Sequence, residues 1–177
     1  MKFEIDSVAS PSTFESLDIK VLDFATEETS GGKDYKEFEV SYRNTPLTLS
    51  VEQEATFSAM SGDSEIRLTI ALTNGTDHAF TKITVKKKKD GTYSVETDVT
   101  NDIRKMPGLG RGLWEMALPV IQKMADQWNS PLQHEVKKVP YKKLSLEKWD
   151  TLFLPLLEKH GYTPHGEAWT KTYSPKK

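Results

Sequence analysis

A chain of 177 residues with 36% hydrophobic and 28% charged residues has the size and make-up of one globular domain with its own core, which argues against disorder. It contains no cysteine, which excludes disulfides, thiolate nucleophiles and cysteine zinc sites together. The net charge of −2 conceals an asymmetry: residues 1–81 carry 6 Lys and Arg against 15 Asp and Glu, and residues 82–177 carry 18 against 11. A basic half suits an anionic ligand, and equally two solvated faces that keep the protein in solution.

In chain order, "MKFEIDSVAS" has no apolar leader core and no stretch approaches membrane-spanning length, so the expectation is a cytoplasmic protein without a membrane partner. "STFESLDIKVLDFA" (12–25) opens with Ser12 as a cap and Glu15 reaching back to it, and Phe14, Leu17, Val21 and Phe24 fall on one helical face. "EFEVSYR" and "LTLSVE" alternate around the turn "NTP" and predict two strands, while "EATFSAM" (54–60) reads as a short helix or a loop. Three strands follow, "EIRLTIAL" (65–72), "AFTKITVKK" (79–87) and "TYSVETDV" (92–99), joined by turns rich in residues that accept positive φ. They predict an antiparallel meander. In the third, Tyr93, Val95, Thr97 and Val99 share one face and Ser94, Glu96 and Asp98 the other. "NGT" at Asn74 matches a glycosylation sequon and reads as a turn.

A helix is predicted next, from Leu109, Leu113, Met116, Ala117, Val120, Ile121, Met124, Ala125 and Trp128, with a kink at Pro119. "PLQHEVKKVP" reads as a short strand. "SLEKWDTLFLPLLEKHGY" (145–162) reads as a helix capped by Ser145, irregular at Pro155 and stopped by Gly161. "GEAWTKTYS" alternates and predicts a final strand. The fold class is α/β or α+β: one domain, with a single mixed, mostly antiparallel twisted sheet flanked by helices.

"KMPGLGRGLWEMAL" places three glycines at the mouth of the main helix. The first amides of a helix lack internal acceptors and the dipole adds positive charge there, so glycines at that point let a phosphate approach the backbone. Arg104, Lys105 and Arg111 would add charge beside it. No Gly-Lys-Ser/Thr follows and the spacing is not GxGxxG, so this is neither a P-loop nor a Rossmann fingerprint. A tight connection without a ligand is the competing reading.

The stretch "KMPGLG" resembles the Arg/Gln-x-x-Gly-x-Gly/Ala signature of the GNAT family of acyl-CoA-dependent N-acyltransferases, with Gly108 and Gly110 at the glycine positions and Lys105 at the lead. The helix after it, "LQHEV", and "LLEKHGYTPHGEAWTKTY" resemble that family's third helix, fifth strand and ending. The likeness in element order runs over roughly 80–173, within a GNAT-like core at 64–177 that follows a divergent 1–60. It implies that backbone amides of Gly108, Leu109, Gly110, Arg111, Gly112 and Leu113 bind the pyrophosphate of acetyl-CoA or another acyl-CoA, used as substrate. It also implies that Glu96 or Asp98 takes a proton from an amine acceptor. The family's usual proton-donating tyrosine falls on Leu157 here, so the enzyme assignment stays open. The alternative is a non-catalytic module on the same scaffold whose acidic half docks a basic protein.

Other constellations carry less. His78, His134, His160 and His165 show no metal-ligand spacing. His160 reads as a helix-end residue suited to the dipole. The run Lys86–Lys89 reads as a solvated hairpin tip, since nucleic-acid contact would call for interleaved aromatics. Trp114, Trp128, Trp149 and Trp169 read mostly as core, with Trp149 or Trp169 alternatively lining a groove.

Overall fold

The computed structural model describes residues 2–4, 21–22, 32–42, 44–57, 60, 62–88, 90–103, 108–137, 151 and 153–176. Arg104, Lys105, Ser145, Trp149 and all of the predicted 12–25 helix except Val21 and Leu22 lie outside the described residues. Val21 is buried in the core and Leu22 is half-buried. The Leu22 amide donates to Gln53 Oε1 at 3.1 Å, and Gln127 Nε2 donates to the Val21 carbonyl at 3.0 Å.

The elements are β1 (Lys2–Glu4), β2 (Gly32–Tyr42), β3 (Thr45–Phe57), β4 (Ser64–Thr73), β5 (His78–Lys87), β6 (Tyr93–Asn101), α1 (Leu109–Trp128), β7 (Leu132–Lys137), α2 (Leu154–Lys159), β8 (Thr163–His165) and β9 (Ala168–Tyr173). The strands form one sheet in the order β1-β2-β3-β4-β5-β6-β7-β9-β8. Among the described residues only β1/β2 and β6/β7 pair in parallel. The predicted mixed, mostly antiparallel sheet is therefore present.

The period-2 pattern decides which face is covered. Ile66, Leu68, Ile70 and Leu72 of β4 lie opposite Val85, Ile83, Thr81 and Ala79 of β5, and all eight are buried. The row continues through Val51 and Leu49 of β3 and Val95 of β6. Helix α1 lies across this face, over β5 and β6. Burying each large aliphatic side chain contributes about 1.5–3 kcal/mol, so this layer is a major favourable contribution to the fold. Helix α2 adds to this core: Trp114 meets Phe153 edge-on at 5.2 Å, and Leu156 and Leu157 of α2 are buried in it.

One expectation changes, and three further features add detail. Glu54–Phe57 continue β3, because Ala55 takes the next inward place opposite Ile66. Strands β1 and β8, three residues each, are too short to show a period. The described C-terminal helix is Leu154–Lys159, with Pro155 in its first turn, where a missing amide costs nothing. Helix α1 runs as one element through Pro119.

Candidate functional site at the β6–β7 divergence

A parallel pair needs a crossover, and α1 is the crossover between β6 and β7. Their pairing covers three steps, Tyr93↔Leu132, Ser94↔Gln133 and Val95↔His134. Strand β6 then continues to Asn101 while β7 stays paired with β9 as far as Lys137. Beyond Val95 the two strands part. At about 3.3 Å per residue, this leaves roughly 20 Å of β6 without a strand partner on that side among the described residues.

The parted edge leads to the start of α1. Gly108 precedes the helix at φ 84, a left-handed conformation that favours glycine, and none of the described side chains caps this end. A Cβ on Gly110 would stand 3.1 Å from Val99 Cγ1 and 3.5 Å from Asn101 Cβ, so Gly110 is where helix backbone touches strand β6. The first two glycines thus have packing reasons. The Gly112 amide donates to the Gly108 carbonyl at 3.0 Å, so the amides left without an intrahelical acceptor are those of Leu109, Gly110 and Arg111. The side chains of Leu109 and Leu113 are in the core and could offer a ligand only backbone. Arg111 is exposed.

Glu96 and Asp98 share β6 with this edge but stand on the opposite face from α1, exposed, opposite Thr84 and Lys82 of β5. The pleat puts Thr97 on the helix side instead. The structure thus brings the glycine loop and β6 together and turns the two carboxylates away from the loop.

Two polar clusters occupy the helix side. In the first, the Trp114 Nε1–H donates to Thr97 Oγ1 at 3.1 Å, and Thr97 Oγ1 lies 2.9 Å from His134 Nε2, across the point where the strands part. His134 Nδ1 bonds the Tyr162 hydroxyl, which bonds that of Tyr173 at 2.9 Å. Burial, then the Lys171 charge, lowers the His134 pKa to about 3, so the ring is neutral, with one donor and one acceptor nitrogen. Burial raises Tyr173 to about 12 and raises Tyr162 as well. Lys171 is lowered by burial and stands over the Tyr173 ring at 4.7 Å.

In the second cluster a carboxylate is fully buried. Glu115 has a side chain at 0% exposure; Oε1 accepts from Arg111 Nε at 2.9 Å, and Oε2 lies 3.2 Å from His160 Nε2. The Lys171 ammonium donates to the His160 carbonyl at 2.8 Å. The ring of Trp114 lies edge-on to that of His160 at 6.1 Å and so joins the two clusters.

Comparison with protein-family models, with curated proteins and with solved structures finds no match to this chain.

Sequence reasoning missed Glu115 altogether and gave His160 only a dipole role. The available signal was a glutamate inside an apolar helix, four residues after Arg111. Leu157, where the resemblance would put a proton-donating tyrosine, is fully buried. Tyr162 and Tyr173 put their hydroxyls into the His134 cluster. Among the described residues no group of three His, Asp or Glu could hold a metal, and no helix is long and apolar enough to cross a membrane.

Proposed function

We propose that the protein binds an acyl-CoA along the parted edge of β6 and transfers its acyl group to an amine. The observation that carries this reading is the three-step β6/β7 pairing, beyond which the β6 edge runs to a helix start whose first three amides have no intrahelical acceptor and, among the described residues, no side-chain cap. An edge strand offers alternate N–H and C=O groups to the amides of an extended pantetheine arm, as in β-strand addition. The helix start offers partial positive charge to the diphosphate, with Arg111 beside it. Two things support the reading besides: the resemblance carried by the glycine stretch and the ending, and a parallel pair, β6/β7, that is bridged by a helix. On this reading Glu96 or Asp98 takes a proton from an acceptor that arrives as an ammonium ion, from the face opposite α1.

Thermal unfolding tests the binding step. A ligand specific to the folded state stabilises by about 2.7 kcal/mol at a hundred times its Kd, and a domain of this size gains about 2–4 °C per kcal/mol. Coenzyme A at millimolar concentration is expected to raise Tm by several degrees, and pantetheine, which lacks the diphosphate, by much less. An unchanged Tm with coenzyme A removes the reading.

One observation favours a non-catalytic module instead. Glu37, Glu39, Glu52, Glu54 and Glu65 lie on one face of β2–β4, the face away from α1. Lys33 and Arg67 pair with Glu52 and Glu65 there, at 3.3 and 2.5 Å, which reduces the local negative charge. That face suits a basic protein partner.

A further inference from the structure

We propose that His160 is the catalytic proton acceptor of this site and Glu115 its positioning residue; the identity of the proton moved rests on the acyl-transfer reading above. Three observations carry it. The Glu115 carboxylate is wholly buried, and both its oxygens are engaged by groups reaching inward from more exposed places: the Arg111 side chain at 53% and the His160 side chain at 24% exposure. Burying a carboxylate is costly, and apolar residues of similar volume generally serve a core as well or better, so a packing role alone does not explain it. Next, a carboxylate on Nε2 selects the tautomer: Nε2 carries the hydrogen and Nδ1 keeps its lone pair. Last, among the described residues Nδ1 has no hydrogen-bond partner, and the ring is partly open to solvent. This is the arrangement of an oriented general base.

The charged groups around the ring among the described residues are Glu115 and Arg111 of α1, Lys171 of β9 and the adjoining Lys159 of α2. Trp114, whose ring meets that of His160, bonds Thr97 at the parting of β6 and β7. Once the acceptor is a neutral amine, its nitrogen bonds the thioester carbonyl carbon and its N–H proton passes to Nδ1. Glu115 stabilises the imidazolium. The carbon–sulfur bond then breaks and the same proton goes to sulfur, which leaves an amide, a free thiol and neutral His160, with no other reactant consumed.

The tautomer is read directly by long-range proton–nitrogen correlation on the ¹⁵N-labelled protein. The expected result is an Nε2–H form at His160 that becomes a mixture in Glu115→Gln. An Nδ1–H form, or no change in the variant, overturns the proposal. With acetyl-CoA and hydroxylamine as acceptor, His160→Gln is expected to lower kcat by about 10²-fold or more, while stabilisation by coenzyme A is retained. A His160→Gln protein that transfers at the native rate also overturns it. Failure of coenzyme A to stabilise the native protein counts against the acyl-transfer reading alone, and the tautomer then decides the role of His160.

Discussion

Gly110 is the residue where two physical demands compete. Replacing it with alanine in a helix gains about 1 kcal/mol of propensity. The new methyl would sit 3.1 Å from Val99 Cγ1, and overpacking of that kind costs about 1–3 kcal/mol. Packing wins, so Gly110→Ala is expected to be less stable by about 1 kcal/mol, and Gly110→Asp by more, because its carboxylate enters the same contact. Urea unfolding measures both; an alanine variant more stable than the native protein would show that the contact has slack. The sequence marked this glycine without showing what it touches, and the neighbour that fixes its role, Val99, lies eleven residues away. A clean loss of coenzyme A binding without loss of fold is therefore not expected from Gly110→Asp.

His134 yields a pH dependence at the same scale. Its folded pKa is about 3, below the ordinary value of 6.5, because burial disfavours the charged ring. The unfolded chain therefore binds the extra proton more readily, and its contribution to stability is present above 6.5 and lost as pH falls from 6.5 toward 3. The native protein is expected to lose a few kcal/mol over that window. His134→Gln, which puts a donor and an acceptor in the cluster without titrating there, should have a lower starting stability and a flatter profile. Parallel curves for the two proteins would contradict the assignment. The sequence placed His134 on a strand; that Thr97, Tyr162 and Tyr173 converge on it depends on pairings between distant segments.

At the scale of elements, what could be read depended on period. The meander was legible because β4, β5 and β6 alternate cleanly over nine or ten residues each. Helix α1 was legible because its apolar residues repeat every three or four places. The extension of β3 was not, since "EATF" has no alternation until Ile66 is known to lie across from Ala55. The parting of β6 from β7 was not legible, since no local pattern in "VETDVTN" reports it. It predicts a hydrogen-exchange difference. Amides of residues 96–101 that point toward β7 should exchange faster than those pointing toward β5, and coenzyme A should slow them. Equal protection on both sides, unaffected by ligand, would mean that the edge is already covered.

At the scale of the whole molecule, the charge asymmetry acquires a partial explanation. The acidic strands β2–β4 and the basic C-terminal half belong to one continuous sheet, so the asymmetry runs across the sheet and does not separate two domains. Arg111 and the start of α1 lie in the basic half, with the β6 edge. An anionic ligand is therefore drawn toward that side at a rate that should fall with ionic strength. Acyl-CoA binding by this protein requires that edge and that helix start to grip a coenzyme A diphosphate. An amide-resolved NMR titration of the ¹⁵N-labelled protein with coenzyme A tests this most directly. The predicted result is saturable shifts at Leu109, Gly110 and Arg111 together with the 96–101 edge. Unmoved resonances there at millimolar coenzyme A would contradict it, as would shifts confined to another part of the sheet.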